Sequence, residues 1–423
     1  MIRWITPRLG TAPWGQVQSS SDTHLLDVRD LVDRAGNVPS DVKLKIDEGV
    51  EQLSRGKTVI VCCDYGISRS NAIAAGVVAV SDGKTFDEAL SDVFQATGED
   101  SVKLEVLSAV RNALGQRRLL SASSASVLVT GGTGFIGKKL VAGLADHVPV
   151  VAPGRDEVDV IGPSFRLDQL VRERQVGTVV HLAHPRILTA NRSLGEAITA
   201  MKNVLDVCRE NDLRLIYVSD WEVFSGYRTP DPIIADETLP PLPESAYGFS
   251  KVLCESLARH MADLHGFRYC LVRSGPVFGR EGRRPRFIRT FVAKALRNDP
   301  IAVHRYRNDL PRLELMHVDD LVAGIRCVVD AEVTGVFHLG SGVLMSTTEI
   351  AERVSGKLES GSTIVVKDVD SEVSNVIMST VKARSRLAWS TTVDPWCAMD
   401  QLIDDIANRV DDPDPVSERT IDG

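Results

Sequence analysis

The sequence predicts an α/β protein built in two parts: a small α/β domain, then a larger doubly wound parallel sheet with a small C-terminal subdomain. Three observations carry this expectation. The apolar run over residues 59–63 feeds a glycine-bearing loop and an Ala-rich helix over 71–80. The same strand, glycine-loop and helix punctuation returns over residues 126–140. From there, strand patterns at 148–152, 177–183 and 213–219 alternate with helical ones, which requires a parallel sheet with crossover helices. At 423 residues the chain exceeds what one core usually holds. We therefore expect a first domain over 1–115 and a second over 126–409. A Ser-rich linker over 116–125 would join them, after a helix over 102–114, and an acidic, Pro-bearing tail over 410–423 is expected to be disordered.

With 43% hydrophobic and 25% charged residues, the composition is that of a globular protein and excludes a disordered or fibrous one. A net charge of −8 argues against a nucleic-acid scaffold. The seven cysteines follow no metal or disulfide spacing, and an odd number that includes a candidate nucleophile fits a reducing cytosol. The N-terminus lacks a signal-peptide apolar region, and no stretch approaches eighteen uninterrupted apolar residues. The expectation is a cytoplasmic protein with no membrane or nucleic-acid partner and no metal.

Cys63 and Arg69 bracket the first loop. A strand entering such a loop and a helix start aims successive backbone N–H groups at one point, an anion cradle strengthened by the helix dipole. The same field favours a thiolate at Cys63. Asp64, Tyr65, Gly66, Ile67 and Ser68 would line the cradle, Arg69 can grip two phosphate oxygens, and Ser70 can hydrogen-bond the sulfur. This is machinery for phosphoryl transfer through a cysteinyl-phosphate. Cys63-x-x-Gly66-x-Ser68-Arg69-Ser70, with the opening Ile5-Thr6-Pro7-Arg8-Leu9-Gly10, resembles the cysteine-dependent protein tyrosine phosphatase superfamily, nearest its dual-specificity branch. The resemblance implies a general-acid Asp about thirty residues before the cysteine; Asp33 has the best spacing and Asp30 is second. Cys62 stands where that family usually has His, a departure that bears on thiol activation and creates a vicinal pair open to redox control.

The second loop begins after the strand pattern 126–130. Gly131, Gly134 and Gly137, interleaved with Thr133, Phe135 and Ile136, permit a tight turn, close approach of a pyrophosphate and helix–strand packing, the Rossmann-type fingerprint in its proper context. Together with Val180-His-Leu-Ala183, Tyr247-Gly-Phe-Ser-Lys251, Val272-Arg-Ser-Gly-Pro-Val-Phe-Gly279 and Leu313-Glu-Leu-Met-His-Val-Asp-Asp320, it resembles the extended short-chain dehydrogenase/reductases, the group of nucleotide-sugar epimerases, dehydratases and reductases. The resemblance implies an NAD(P) site that includes Leu182 and Ala183. Tyr247 would be its general acid/base, with Lys251 stabilising the phenolate and binding the cofactor ribose. The family's Ser or Thr falls on Asp220, with Ser219 one position early, and Glu222 aligns with a dehydratase glutamate. These departures leave redox, epimerisation and dehydration open. Arg155 after the second strand favours NADP over NAD, and Asp159-Val160 resembles an adenine-contacting pair. Arg280 and Arg312, with Arg305 and Arg307, form the arginine set expected to meet a substrate diphosphate. A homodimer through this domain is the expected assembly.

The sequence thus implies a bifunctional enzyme: phosphate monoester hydrolysis joined to NAD(P)-dependent oxidoreduction of a sugar, nucleoside or nucleotide-sugar. Two alternatives stay open, an epimerase or dehydratase with a degenerate phosphatase domain, and a protein phosphatase regulated by a non-catalytic dinucleotide-binding domain.

Overall fold

A computed structural model describes residues 1–116, 125–185, 191–282 and 285–408. The expected linker and tail fall almost wholly outside them. Strands β1 (Arg3–Thr6), β2 (Leu9–Pro13), β3 (Thr23–Asp27) and β4 (Thr58–Cys63) form one sheet in the order β1-β2-β4-β3. The opening segment is an antiparallel β1–β2 hairpin, whereas β2 and β3 both run parallel to β4. Central β4 is fully buried after its first residue, as its unbroken apolar run requires. Helices α1 (Pro39–Ser54), α2 (Ser68–Asp82), α3 (Phe86–Thr97) and α4 (Leu104–Ala113) accompany this sheet. Helix α2 is buried along most of its length, which its run of Ala, Gly and Val permits, and ends on Gly83 in the left-handed conformation. A reciprocal Thr85–Glu88 capping box starts α3.

The second sheet is parallel, with six strands in the order β15-β10-β8-β7-β5-β6. Its first half comprises β5 (Ser126–Thr130), α5 (Phe135–Ala145), β6 (Val150–Val151), α6 (Ser164–Glu173), β7 (Val176–His181), α7 (Asn191–Asn211) and β8 (Arg214–Asp220). Next come β9 (Ile233–Ala235), α8 (Ala246–His265), β10 (Tyr269–Ser274), β11 (Val277–Phe278), α9 (Arg286–Leu296), β12 (Ile301–Tyr306), β13 (Arg312–Leu313), β14 (Met316–His317), α10 (Val318–Asp330) and β15 (Gly335–Leu339). The chain then forms β16 (Met345–Ser346), α11 (Thr347–Lys357), β17 (Ile364–Val369), β18 (Val376–Met378), α12 (Val381–Leu387) and α13 (Pro395–Asn408). A core of Val129, Leu140, Ile216, Val272, Leu321 and Phe337 fills the parallel sheet. A separate core of Phe278, Phe291, Ile301, Ile350, Met399 and Ile403 joins α9, α11, α13 and the β12–β17 pair.

The chain divides into two compact units, the first of which also takes in two segments from beyond residue 126. One unit comprises Met1–Ala125 with Arg155–Gly177 and Lys202–Leu213; the other comprises Ser126–Gly154, Thr178–Met201 and Arg214–Gly423. Within the first unit, buried Arg111 pairs with Asp87 at 2.6 Å and Asp168 at 2.7 Å, Arg209 pairs with Glu105 at 2.6 Å, and the rings of Phe94 and Phe165 meet at 4.5 Å. Sequence spacing alone does not reveal pairings of this range. Among the described residues no helix is long and apolar enough to cross a membrane.

Candidate active sites

In the first unit, Cys63 ends β4 and Ser68 begins α2, so residues 64–67 must reverse the chain in one tight loop. Gly66 makes that possible: its φ is +68°, and a Cβ there would lie 2.3 Å from the Ala12 carbonyl carbon. Its amide donates to Cys63 Sγ at 3.2 Å, and Arg3 clamps its carbonyl at 3.0 Å. Burial pushes the Cys63 thiol up, but the dipoles at the start of α2, Ser70 foremost and then the amides of Ile67 and Tyr65, outweigh it and hold the pKa below its ordinary value. Cys62 faces the other way. Its thiol donates to the Ile60 carbonyl at 3.6 Å, and burial, with Asp27 and Cys63 adding, pushes it up to about 11. The vicinal cysteines are both free thiols with opposite ionisation tendencies.

Arg69 is buried, and its Nη1 donates to the carbonyls of Leu31 and Arg29 at 2.9 and 3.2 Å. This ties the guanidinium to the segment carrying both candidate acids. Asp33 accepts a hydrogen bond from Ser68 Oγ at 2.5 Å and lies 3.3 Å from Lys103 Nζ. Asp30 instead turns to Lys45 at 2.9 Å. The structure therefore brings Asp33, and not Asp30, onto the Cys63 loop. Asp64 pairs with Arg69, while Tyr65 is exposed.

In the second unit, β5 runs into the glycine loop and α5. Gly131 has φ +72°, and a Cβ on it would lie 2.9 Å from the Ala183 amide nitrogen; a Cβ on Gly137 would lie 2.2 Å from the Gly131 carbonyl oxygen. Gly131 and Gly137 have no room for a side chain, and Leu182 and Ala183 line the loop through hydrogen bonds to Thr130 at 3.2 and 3.3 Å. Such a cradle fits a dinucleotide pyrophosphate.

Helix α8 begins at the Ser245 cap, which places Tyr247 and Lys251 one turn apart. Lys251 Nζ donates to the Val218 carbonyl at 3.1 Å and lies 5.4 Å from the Tyr247 ring centroid. Burial lowers its pKa, opposed by Asp220 and other acids. Asp220 caps the short turn after β8 by accepting from the Glu222 amide at 3.0 Å. The Glu222 carboxylate accepts from the Ser245 hydroxyl, which accepts from the Gly248 amide at 2.9 Å. Glu222 thus anchors the start of α8. The Ser219 hydroxyl is buried with no hydrogen-bond partner among the described residues.

A residue that no sequence motif singles out, His184, lies beside Tyr247. His184 meets the Tyr247 ring edge-on at 5.1 Å, and its Nε2 lies 3.3 Å from Ser250 Oγ. The Ser250 hydroxyl donates to the Tyr247 carbonyl at 2.7 Å, so it accepts from Nε2–H and leaves Nδ1 of His184 as an acceptor. The available signal was a second histidine directly after the Val-His-Leu-Ala marker.

The arginine cluster expected for a diphosphate resolves into separate ion pairs: Arg280 with Asp405, Arg305 with Asp368, Arg307 with Asp370 and Arg312 with Asp309. Each of these four surface guanidiniums has a carboxylate partner. Arg155, in the stretch assigned to the first unit, donates to Asp159 at 3.0 Å, and the Val160 carbonyl accepts from Asn203 at 2.9 Å.

Burial pushes His181 and His338 down to about 3 and His184 to about 2. Their unfolded value is 6.5, so below it the unfolded chain binds protons that the folded chain does not. Stability should therefore be full above about pH 6.5 and fall by about 1.4 kcal/mol per histidine per pH unit below it. Buried Glu314, pushed up to about 7, acts oppositely between its unfolded 4.5 and 7, but one carboxyl does not offset three imidazoles. The expected result is a falling unfolding temperature between pH 7 and pH 5; a flat or rising profile would refute it.

A parallel sheet, a glycine cradle and a Tyr/Lys pair are the combination expected of the short-chain dehydrogenase/reductase class. The NAD dependent epimerase/dehydratase family matches residues 127–340, half of the chain, and the protein belongs to that family. It is 26% identical over 325 residues to the dTDP-4-dehydro-6-deoxyglucose reductase of Escherichia coli, covering 68% of this chain and 99% of that protein. It is 27% identical over 260 residues to a UDP-glucose 4-epimerase of Azospirillum brasilense, covering 52% of this chain and 71% of that protein. Among solved structures, the UDP-glucose 4-epimerase of Thermus thermophilus in complex with NAD superposes with a TM-score of 0.59 at 20% identity, over 67% of this chain and all of that one. The RMD protein of Pseudomonas aeruginosa complexed with NADPH does so with a TM-score of 0.59, also at 20% identity, over 68% and 100%. At this identity the structural likeness establishes the fold.

Proposed function

We propose that the second unit is an NAD(P)-dependent enzyme acting on a nucleotide-linked sugar, and that the Cys63 loop of the first unit hydrolyses phosphate monoesters. The observation that carries the first statement is the Tyr247–Lys251 pair with His184 at its edge, on the sheet that also bears the glycine cradle. Gly131, Gly134, Gly137, Leu182 and Ala183 would hold the pyrophosphate side of the dinucleotide and Lys251 its ribose. When bound, the dinucleotide supplies a hydride acceptor or donor. Tyr247 moves the proton of the sugar hydroxyl or carbonyl, its phenolate favoured by the Lys251 ammonium. The family relatives, a reductase and an epimerase of nucleotide sugars, support this substrate class. Arg155 is engaged by Asp159, so the preference for NADP rests on its sequence position, and both dinucleotides belong in the assays.

For the first unit, the supporting observation is the Gly66 amide on the Cys63 sulfur, with the loop dipoles holding the thiol pKa down. Cys63 Sγ would attack phosphorus as the ester P–O bond breaks and Asp33 protonates the leaving oxygen. Water would then cleave the S–P bond and release phosphate.

The cradle is tested by Gly137→Ala. Its Cβ would collide with the Gly131 carbonyl, and shifting the cradle to relieve the clash, at about 1–3 kcal/mol, lowers dinucleotide affinity by roughly five- to 150-fold. Binding of NADH and NADPH, followed by fluorescence, should weaken accordingly while aryl phosphate hydrolysis continues. Unchanged binding would refute the cradle.

A further inference from the structure

Resting on the reading of the Cys63 loop as a phosphate site, we propose that Asp64 is an internal counter-ion of Arg69 that an incoming phosphate must displace. It biases the loop toward monophosphates carrying no further negative charge. Arg69 has one edge committed, with Nη1 held by the carbonyls of Arg29 and Leu31. The other edge, Nε with Nη2, is the fork that grips two oxygens of an oxyanion. Along that edge Nη2 is taken by the Asp64 carboxylate, while Nε is buried with no hydrogen-bond partner among the described residues. The two partners differ in freedom: the Arg69 side chain is 11% exposed, whereas the Asp64 side chain is 56% exposed. Asp64 can therefore turn into solvent, but Arg69 cannot leave. A phosphate that takes both Nε and Nη2 completes the orphaned donor and expels the carboxylate.

The surroundings explain the bias against extra charge. Arg29 pairs with Asp27 at 2.8 Å, Lys45 with Asp30 at 2.9 Å and Lys103 with Asp33 at 3.3 Å. Once displaced, the Asp64 carboxylate stays beside the loop and repels a second phosphate group, and cations already neutralised in such pairs add little attraction.

The test is calorimetric titration of the full chain with inorganic phosphate and with pyrophosphate, comparing wild type with Asp64→Asn and Asp64→Ser. The wild type should favour phosphate. Both variants should bind phosphate about tenfold or more tightly, the scale of one charge-assisted hydrogen bond, with at least an equal gain for pyrophosphate. Equal or weaker binding by the variants would overturn the counter-ion role. A wild type that prefers pyrophosphate would overturn the charge selection. Failure of wild type and variants alike to bind either anion would overturn the underlying phosphate-site reading instead.

Discussion

Cys63→Ser is expected to reduce hydrolysis of 4-nitrophenyl phosphate to the level of the uncatalysed control. The substitution changes one buried atom, so the loop should keep its shape, held by Gly66 against Ala12 and by Arg3 on the Gly66 carbonyl. The alkoxide that would have to attack is not formed at neutral pH, whereas the Cys63 thiol is held below its ordinary pKa by the hydrogen bonds aimed at it. Dinucleotide binding should be unchanged, because the glycine cradle belongs to the other unit. Hydrolysis that survives in Cys63→Ser would remove Cys63 as nucleophile. Cys62 could not inherit the role, since its thiol is pushed up to about 11 and turned toward Ile60.

Tyr247→Phe should lower turnover of a nucleotide sugar by about 10²–10⁴-fold, the range for loss of a positioned proton-transfer group. The ring remains to pack against His184, so the cradle and Lys251 should still bind dinucleotide. Phosphatase activity should stay at the wild-type level. Full activity in Tyr247→Phe would contradict the assignment. Because Glu222 is committed to Ser245 and the start of α8, Asp220 would then be the next residue to replace.

Both loops were legible because each is written locally. A buried strand, a glycine where φ must be positive and a helix start lie within a dozen residues, and no distant partner is needed to specify them. The glycine requirement at Gly66 and Gly131 is visible as chemistry before it is visible as geometry. The parallel sheet followed from the same local alternation, although the strand expected at 148–152 shrinks to Val150–Val151 at the sheet edge, where a single neighbour sustains it.

Pairing over long range was not legible. Nothing in the sequence shows that Arg280 reaches Asp405 or that Arg305 reaches Asp368. Charge runs record which residues are present, and the fold decides what neutralises them. The same holds for Glu222 on Ser245 and for His184 on Tyr247, whose partners lie 23 and 63 residues away in the numbering. Departures from the family pattern at Cys62 and Asp220 were visible at once, but their consequences depended on direction. Cys62 points away from the loop, and Asp220 caps a turn.

The most direct test of the second site is chromatographic analysis of the full chain incubated with UDP-, dTDP- and GDP-linked sugars, each with NAD or NADP, oxidised and reduced, beside Tyr247→Phe. The wild type should convert at least one nucleotide sugar, as a change at the sugar with or without a change in absorbance at the reduced-cofactor band, and the variant should nearly lose this conversion. Dinucleotide binding without conversion of any member of the panel, or equal conversion by Tyr247→Phe, would contradict that expectation.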